Sequence, residues 1–195
     1  MNVASHPASP RSSFRNLHET LNGPWHPAAS AVFLVIVVAH WAEHLLQALQ
    51  VFMLRWPRPA ARGALGLMFP WLVTSEWLHY GYAIVMLIGL WVLRPAFQGR
   101  ARVWWDIALV IQIWHHFEHA LLLGQAVTGV RLFGAAEPVS IAQLFVPRVE
   151  LHLFYNAVVF IPMVIAMVHH AFPPTGMATR CACHRLGLWQ QPQYQ

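Results

Sequence analysis

The sequence predicts an all-α protein, a four-transmembrane-helix bundle built as a tandem repeat of two helix pairs. Three observations lead to this fold class. The chain is 57% hydrophobic and only 10% charged, whereas soluble domains carry about 25% charged residues. Its apolar residues fall into four runs, each near the ~20 residues that cross a bilayer as a helix. Two of these runs contain the same H-x-x-E-H pattern.

The elements follow one another simply along the 195 residues. We expect residues 1–28, which are polar and rich in Pro, Ser and His, to form a surface arm. The transmembrane domain should occupy 29–172, and 173–195 should form a polar tail. Within the domain, the four expected spans are about 29–54, 68–93, 103–127 and 149–172.

Two prolines and one long connection predict further features of these spans. Pro70 falls in the first turn of the second expected helix, where proline is tolerated. Pro162 lies inside the fourth and predicts a kink. The connection between the third and fourth helices contains the apolar stretch 139–146, which we expect to lie in or dip into the membrane interface.

The basic residues are all arginines, twelve in total, and they lie mostly in short loops. This pattern is typical of topology signals and lipid-headgroup contacts, and no basic face predicts a nucleic-acid partner. Four spans place both termini on one side, which carries seven of the twelve arginines. This excess favours cytoplasmic termini, as in a bacterial inner membrane, and cysteines in the tail agree with a reducing compartment.

The repeat concerns the rare acids and the histidines. His40, Glu43 and His44 form H-x-x-E-H in the first span, and His115, Glu118 and His119 repeat it 75 positions later. A fainter echo joins the second and fourth spans, 73 positions apart, and consists of H-x-x-Y with a glutamate just upstream. Its residues are Glu76, His79 and Tyr82 in the second span, and Glu150, His152 and Tyr155 in the fourth.

Helical spacing gathers these side chains. Residues at i, i+3 and i+4 share one face of a helix, and Glu-x-x-His on facing helices is how ferritin-like bundles bind paired metals. Counting residues from the span ends places most of these groups at a common depth, with His152 at the rim. Glu150 and His152 are two positions apart and diverge, so Glu150 is the least secure ligand.

Burial of so many ionisable groups predicts a bound cation. No arginine lies deep enough in the expected spans to pair with Glu43, Glu76 or Glu118. A charge at the bilayer centre costs about 2.5–3.5 kcal/mol, and a metal ion would satisfy carboxylates and neutral imidazoles together. We therefore predict one or two divalent metal ions, with iron favoured and copper or zinc as alternatives. Haem, or a metal-free proton network, is the weaker hypothesis.

The predicted site residues form three groups. The metal ligands are His40, Glu43, His44, Glu76, His79, His115, Glu118, His119, Glu150 and His152. The supporting residues beside them are His116, Tyr82 and Tyr155. Cys181, Cys183 and His184 could form a peripheral soft-metal site, as could His169 and His170 at the same membrane face. The alternative is an exposed polar tail that binds no metal.

Three functions fit this site. The leading hypothesis is a di-metal oxidoreductase acting on a lipid or hydrocarbon, with an electron donor or partner subunit. It is similar in outline to the histidine-box membrane desaturases and hydroxylases, although their H-x-x-x-H and H-x-x-H-H boxes are absent. The second is a zinc-dependent membrane hydrolase using H-x-x-E-H. The third is a non-catalytic metal or proton carrier, or a haem electron-transfer subunit.

Overall fold

The computed structural model describes residues 10–174 and Cys183. These residues form helices, turns and loops, with no β-strand among them. The all-α prediction is confirmed for this part of the chain. Residues 1–9 of the expected arm, and nearly all of the tail, lie outside the described residues.

Four long helices dominate the structure, with three shorter ones before and between them. In chain order, the helices are α1 (Pro10–Leu21), α2 (His26–Ala48), α3 (Gly63–Met68), α4 (Trp71–Thr74), α5 (Glu76–Leu93), α6 (Gly99–Thr128) and α7 (Arg148–Ala171). A π-helical turn, Leu49–Met53, extends α2. The long helices α2, α5, α6 and α7 alternate in direction, so the bundle has two distinct ends. We call the end with loops 54–75 and 129–147 the loop end, and the other the terminal end.

Part of the expected arm is helical, and one expected helix boundary was wrong. The arm contains α1, whose polar residues do not prevent helix formation in contact with α2 and α5. The second long helix begins at Glu76, because Ser75 is extended and its hydroxyl accepts a hydrogen bond from Leu78 N. Serine at this position caps the first turn of a helix. Pro70 therefore precedes the short α4, and not the long helix.

The third long helix exceeds its expected length. It begins at Gly99, four residues before the expected 103–127, and ends where Gly129 adopts a left-handed conformation (φ 73°). A glycine at this position terminates a helix without steric cost. The last long helix continues through Pro162, which is buried.

The apolar core fills the terminal half of the bundle. Trp105 is 1% exposed, stacks on Phe97 at 3.9 Å between ring centroids, and donates a hydrogen bond from Nε1 to Leu90 O (2.7 Å). Helix α6 makes its most extensive contacts with α5 and α7, and α2 packs on both of those helices. The core therefore holds all four long helices together away from the loop end.

Apolar side chains also cover the outside of the bundle. One example from each long helix is Val35 (68% exposed), Trp91 (61%), Val110 (66%) and Ile161 (56%). Exposed apolar area on every face is unusual for a protein in water and typical of one in lipid.

Three segments are long and apolar enough to cross a membrane, namely His26–Met53, Glu76–Ala96 and Arg148–Ala171. Helix α6 is longer, at 30 residues, but its three histidines, Glu118 and two glutamines lower its mean hydropathy. Three candidate spans among the described residues are consistent with a membrane protein.

Candidate metal centre

Six histidines from all four long helices lie together near the loop end. We call this set the histidine cluster: His40 and His44 from α2, His79 from α5, His115 and His119 from α6, and His152 from α7. All six were predicted as ligands from the sequence. The cluster lies nearer to one end of the bundle than the sequence predicted, because α5 and α7 begin only a few residues before His79 and His152.

His152 lies at the centre of this cluster. Its ring centroid is 5.2 Å from that of His44, 5.5 Å from His119, 6.0 Å from His79 and 6.1 Å from His115. The side chain is only 5% exposed. The expectation that His152 lies at the rim was therefore wrong, because His44 and His79 approach the loop end more closely than the expected span boundaries implied.

The two H-x-x-E-H motifs each bring a pair of ring nitrogens together. Nε2 of His40 lies 3.0 Å from Nε2 of His44, and the corresponding distance between His115 and His119 is 3.2 Å. Residues at i and i+4 on one helix allow this contact. Two nitrogens bound to one ion at ~2.1 Å would be about 3.0–3.4 Å apart. Each pair therefore has the spacing either of a shared proton or of a shared metal ion.

Hydrogen bonds at Nδ1 orient three of the rings. Nδ1 of His79 donates to Ser75 O (2.9 Å), and Nδ1 of His152 donates to Arg148 O (2.7 Å). Nδ1 of His44 bonds to Oε1 of Gln47 (2.9 Å). Because an oxygen of this kind only accepts, the proton is on Nδ1, and the neutral ring presents a lone pair at Nε2. Metal-binding histidines are commonly held in this way.

The lone pair of His152 has no hydrogen-bond donor in the part of the chain that the structure describes. Its Nε2 is buried and has no hydrogen-bond partner among the described residues. An unsatisfied buried polar atom costs about 1–3 kcal/mol. A cation placed among the neighbouring histidines would remove this cost, and it would suit a ring whose tautomer is already fixed.

Two cavities border the cluster, one in each half of the chain. A cavity of about 180 Å³ is lined by His40, His44 and His79. A much smaller one, of about 10 Å³, touches His115, His119 and His152, and this is roughly the space that one water or ion occupies. Within the described part of the cluster, no three ligand atoms lie within 4.8 Å of one another, so an ion shared by three of these residues requires the rings to move closer together.

A third cavity joins the cluster to the loop end. It has a volume of about 440 Å³, and its polar lining consists of His44, Gln47, Arg58, Arg62, Thr74, His79, Glu137, Arg148 and His152. Arg58 and Arg148 are ion-paired with Glu150 and Glu76, so Arg62 is the arginine of this cavity without an ion pair among the described residues.

The glutamates of the H-x-x-E-H motifs accept hydrogen bonds from loops. The Glu43 carboxylate accepts from Leu65 N (3.1 Å). The Glu118 carboxylate accepts from Ser140 Oγ (3.1 Å) and Ala142 N (2.9 Å). Both side chains also line the histidine cavities, so their role as ligands stays a prediction.

The other two predicted ligands form ion pairs. The Arg148 guanidinium binds both oxygens of Glu76 (2.7 and 3.0 Å), and Arg58 Nε donates to Glu150 (3.0 Å). The bond to Glu150 raises the pKa of Arg58, a loop residue, above its usual value. The expectation that no arginine reaches Glu76 was wrong, because α5 and α7 both begin at the loop end, which places Arg148 beside it.

Two of the three predicted supporting residues contact the histidine cluster. Tyr82 stacks on His40, with 3.5 Å between ring centroids, and Tyr155 lies 4.4 Å from His115. These contacts place both tyrosines directly against histidines of the first and third long helices. His116 lies outside the cluster, 5.1 Å from the ring of Tyr80.

Two glutamines that belong to the repeat, each six residues after an H-x-x-E-H motif, fix the loops beside the cluster. Gln50 bonds to both backbone groups of Gly63, donating to its O (3.3 Å) and accepting from its N (2.9 Å). Gln125 does the same at Val139, donating to its O (2.7 Å) and accepting from its N (3.4 Å). These glutamines are 75 positions apart, the offset of the H-x-x-E-H motifs, so the repeat predicts their matching positions but not their bonds to the loops.

The peripheral prediction falls partly outside the described residues, which do not include Cys181 or His184. Cys183 lies at the terminal end of the bundle, 3.3 Å from Nδ1 of His26. His26 was not predicted as a site residue, because the sequence places it in the expected polar arm.

Comparisons of this chain with protein-family models, curated proteins and solved structures found no match.

Proposed function

We propose that the histidine cluster binds one or two transition-metal ions and that the protein is a metal-dependent membrane oxidoreductase. The observation that carries this proposal is the environment of His152. Its Nε2 lone pair is buried without a hydrogen-bond donor among the described residues, and four other histidine rings surround it. A bound cation supplies the missing partner and uses the neighbouring imidazoles as further ligands.

The donor set determines which metals are suitable. With the four glutamates hydrogen-bonded or ion-paired to other groups, the ligands nearest the centre are imidazoles. Imidazole suits iron, copper, zinc and nickel. A redox-active ion such as iron or copper would supply electron exchange with the substrate. The protein would contribute fixed ring tautomers and a site largely shielded from water.

Two metal positions follow from the arrangement of the cavities. His40, His44 and His79 line one cavity, and His115, His119 and His152 line the other. Each set contains one pair of close Nε2 atoms and one ring that donates from Nδ1 to the carbonyl four residues earlier. This correspondence supports a tandem repeat of two helix pairs, each supplying three histidines.

The substrate would be an amphiphile with an apolar chain and an anionic group. Apolar surface on all four long helices gives access from lipid. The 440 Å³ cavity beside His152 has arginines in its wall. Arg58 and Arg148 are in ion pairs, whereas Arg62 makes none among the described residues. The Arg62 guanidinium is therefore the group best placed to bind a carboxylate or phosphate.

The first test is metal content. The full chain is purified in detergent, and its metals are measured by mass spectrometry alongside its absorption spectrum. We expect about two iron or copper ions in the wild type, and the loss of at least one in His115→Ala or His152→Ala. His116→Ala is the matched control, because His116 neighbours His115 on the same helix but lies outside the cluster.

Other results would contradict this proposal in recognisable ways. Equal metal content in the wild type, His115→Ala and His152→Ala would rule out the histidine cluster as the metal site. A single zinc ion that is lost in His152→Ala would favour the hydrolase, and a Soret band would favour haem. A purified chain with no bound metal would leave two hypotheses, a metal or proton carrier and a metal-free hydrogen-bond network.

A further inference from the structure

A second group of metal-binding side chains lies at the terminal end, remote from the histidine cluster. It consists of His26, at the start of α2, His170, near the end of α7, and Cys183, from the tail. Their ligand atoms all lie within 4.8 Å of one another. Among the described residues, this is the one group of three that meets that distance.

The contacts within this group centre on the cysteine sulfur. Sγ of Cys183 is 3.3 Å from Nδ1 of His26 and 3.2 Å from Nε2 of His170. In a tetrahedral zinc site, with Zn–N near 2.1 Å and Zn–S near 2.3 Å, nitrogen and sulfur are about 3.6 Å apart. Movements of a few tenths of an ångström would therefore make room for an ion.

The surroundings of the group are typical of a metal site in a protein. His26 is 1% exposed and His170 is 8% exposed, and Phe97 packs against both rings at 5.4 and 4.8 Å. The other nitrogen of His26, Nε2, bonds to the hydroxyl of Ser30 (3.2 Å). A hydrogen bond on the side of the ring away from the ion orients a metal-binding imidazole. Shielding by Phe97 lowers the local dielectric, which would strengthen the attraction between a cation and these side chains.

We propose that His26, His170 and Cys183 form a second metal site, for a thiophilic cation such as Zn²⁺ or Cu⁺. A thiolate with two imidazoles selects such ions over Mg²⁺, Ca²⁺ or Mn²⁺, which prefer oxygen. Bound there, the ion links the tail to the first and last long helices. This site depends neither on the histidine cluster nor on its proposed activity.

Cobalt gives a selective test of this site. The full chain in detergent is stripped with a chelator and titrated with Co²⁺, and the near-ultraviolet thiolate-to-cobalt absorption band is recorded. The histidine cluster contains no cysteine, so the band reports only on a site with a thiolate. We expect the band in the wild type, its loss in Cys183→Ser, and at least about a tenfold weaker affinity in His26→Ala. Displacement by Zn²⁺ and by Cu⁺ then identifies the preferred ion.

Matched variants separate this site from its neighbours. Cys181→Ser removes the other cysteine of the tail and should leave the band unchanged. His152→Ala, in the histidine cluster, should also leave it unchanged, so the two metal proposals can fail independently. No band in the wild type, a band that survives Cys183→Ser, or one abolished by Cys181→Ser would overturn the three-residue site.

Discussion

Glu118 is a carboxylate almost wholly enclosed by protein, with 2% of its surface exposed. Its two oxygens accept hydrogen bonds from Ser140 Oγ and Ala142 N, which belong to the loop before α7. Its position in H-x-x-E-H is equally suited to a metal ligand and to a loop anchor. The sequence placed it correctly beside His115 and His119, but hydrogen bonds to a loop more than 20 residues away could not be predicted from helical spacing.

Substitution of Glu118 distinguishes the two roles, because a loop anchor affects stability and a ligand affects metal content. For a loop anchor, Glu118→Ala leaves one buried and one partly buried donor unpaired, and should lower stability by about 1–3 kcal/mol. Glu118→Gln should cost much less, because its amide oxygen can still accept from Ala142 N. Thermal unfolding in detergent measures this difference, and both variants should retain the metal of the wild type.

The control for Glu118 is Glu137→Ala, which removes an exposed carboxylate from the loop before α7 and should change the unfolding temperature little. Loss of metal in Glu118→Gln would show instead that Glu118 is a ligand.

At the scale of helices, the first turns of α5 and α7 are joined by the ion pair between Glu76 and Arg148. The sequence correctly identified an apolar run containing His79, but it placed the helix start eight residues early, at 68. Propensity alone did not reveal that boundary, because 68–75 is as apolar as the helix itself. The hydroxyl of Ser75, which caps α5, was the available signal.

Breaking the Glu76–Arg148 pair should destabilise the loop end. Glu76 is 9% exposed, whereas the side chain of Arg148 is 36% exposed, so water partly screens the pair. We expect Arg148→Gln to lower the free energy of unfolding by about 1–2 kcal/mol. The double variant Glu76→Gln/Arg148→Gln should recover part of this loss, because no unpaired carboxylate remains buried. Chemical denaturation in detergent measures both effects.

The comparison for this ion pair is Arg15–Glu19 on α1, whose side chains are 81% and 65% exposed. Arg15→Gln should have almost no effect on unfolding. A loss in the double variant as large as in Arg148→Gln alone would mean that the arginine stabilises through its other contacts.

At the scale of the whole molecule, composition was sufficient to predict an all-α fold with helices fit for a membrane. The number of membrane crossings is harder to predict. Helix α6 is long enough to span a membrane, but it also carries the polar side chains of the candidate metal centre. Two of its histidines and Glu118 face other protein groups, which hydropathy does not take into account. A polar helix can cross a bilayer when its polar side chains are directed into the bundle.

Labelling with a membrane-impermeant thiol reagent tests whether α6 crosses. Single cysteines are introduced at Ser12, Phe133 and Gln190 in a chain without Cys181 and Cys183. With four crossings, Ser12→Cys and Gln190→Cys react from one side, and Phe133→Cys reacts from the other. Phe133 is 85% exposed, so its reaction should not be limited by burial. Opposite sides for Ser12→Cys and Gln190→Cys would show an odd number of crossings.

The position of His79 and His152 near the first turns of α5 and α7 has a consequence for sidedness. At about 1.5 Å per residue, both rings lie roughly one turn from the loop-end starts of α5 and α7, while the apolar core lies between them and the terminal end. If the cluster holds the proposed ions and the bundle crosses a membrane, those ions would exchange only with the aqueous phase at the loop end. A chelator or reductant confined to that phase would therefore act quickly, and the same reagent across the bilayer would have no route.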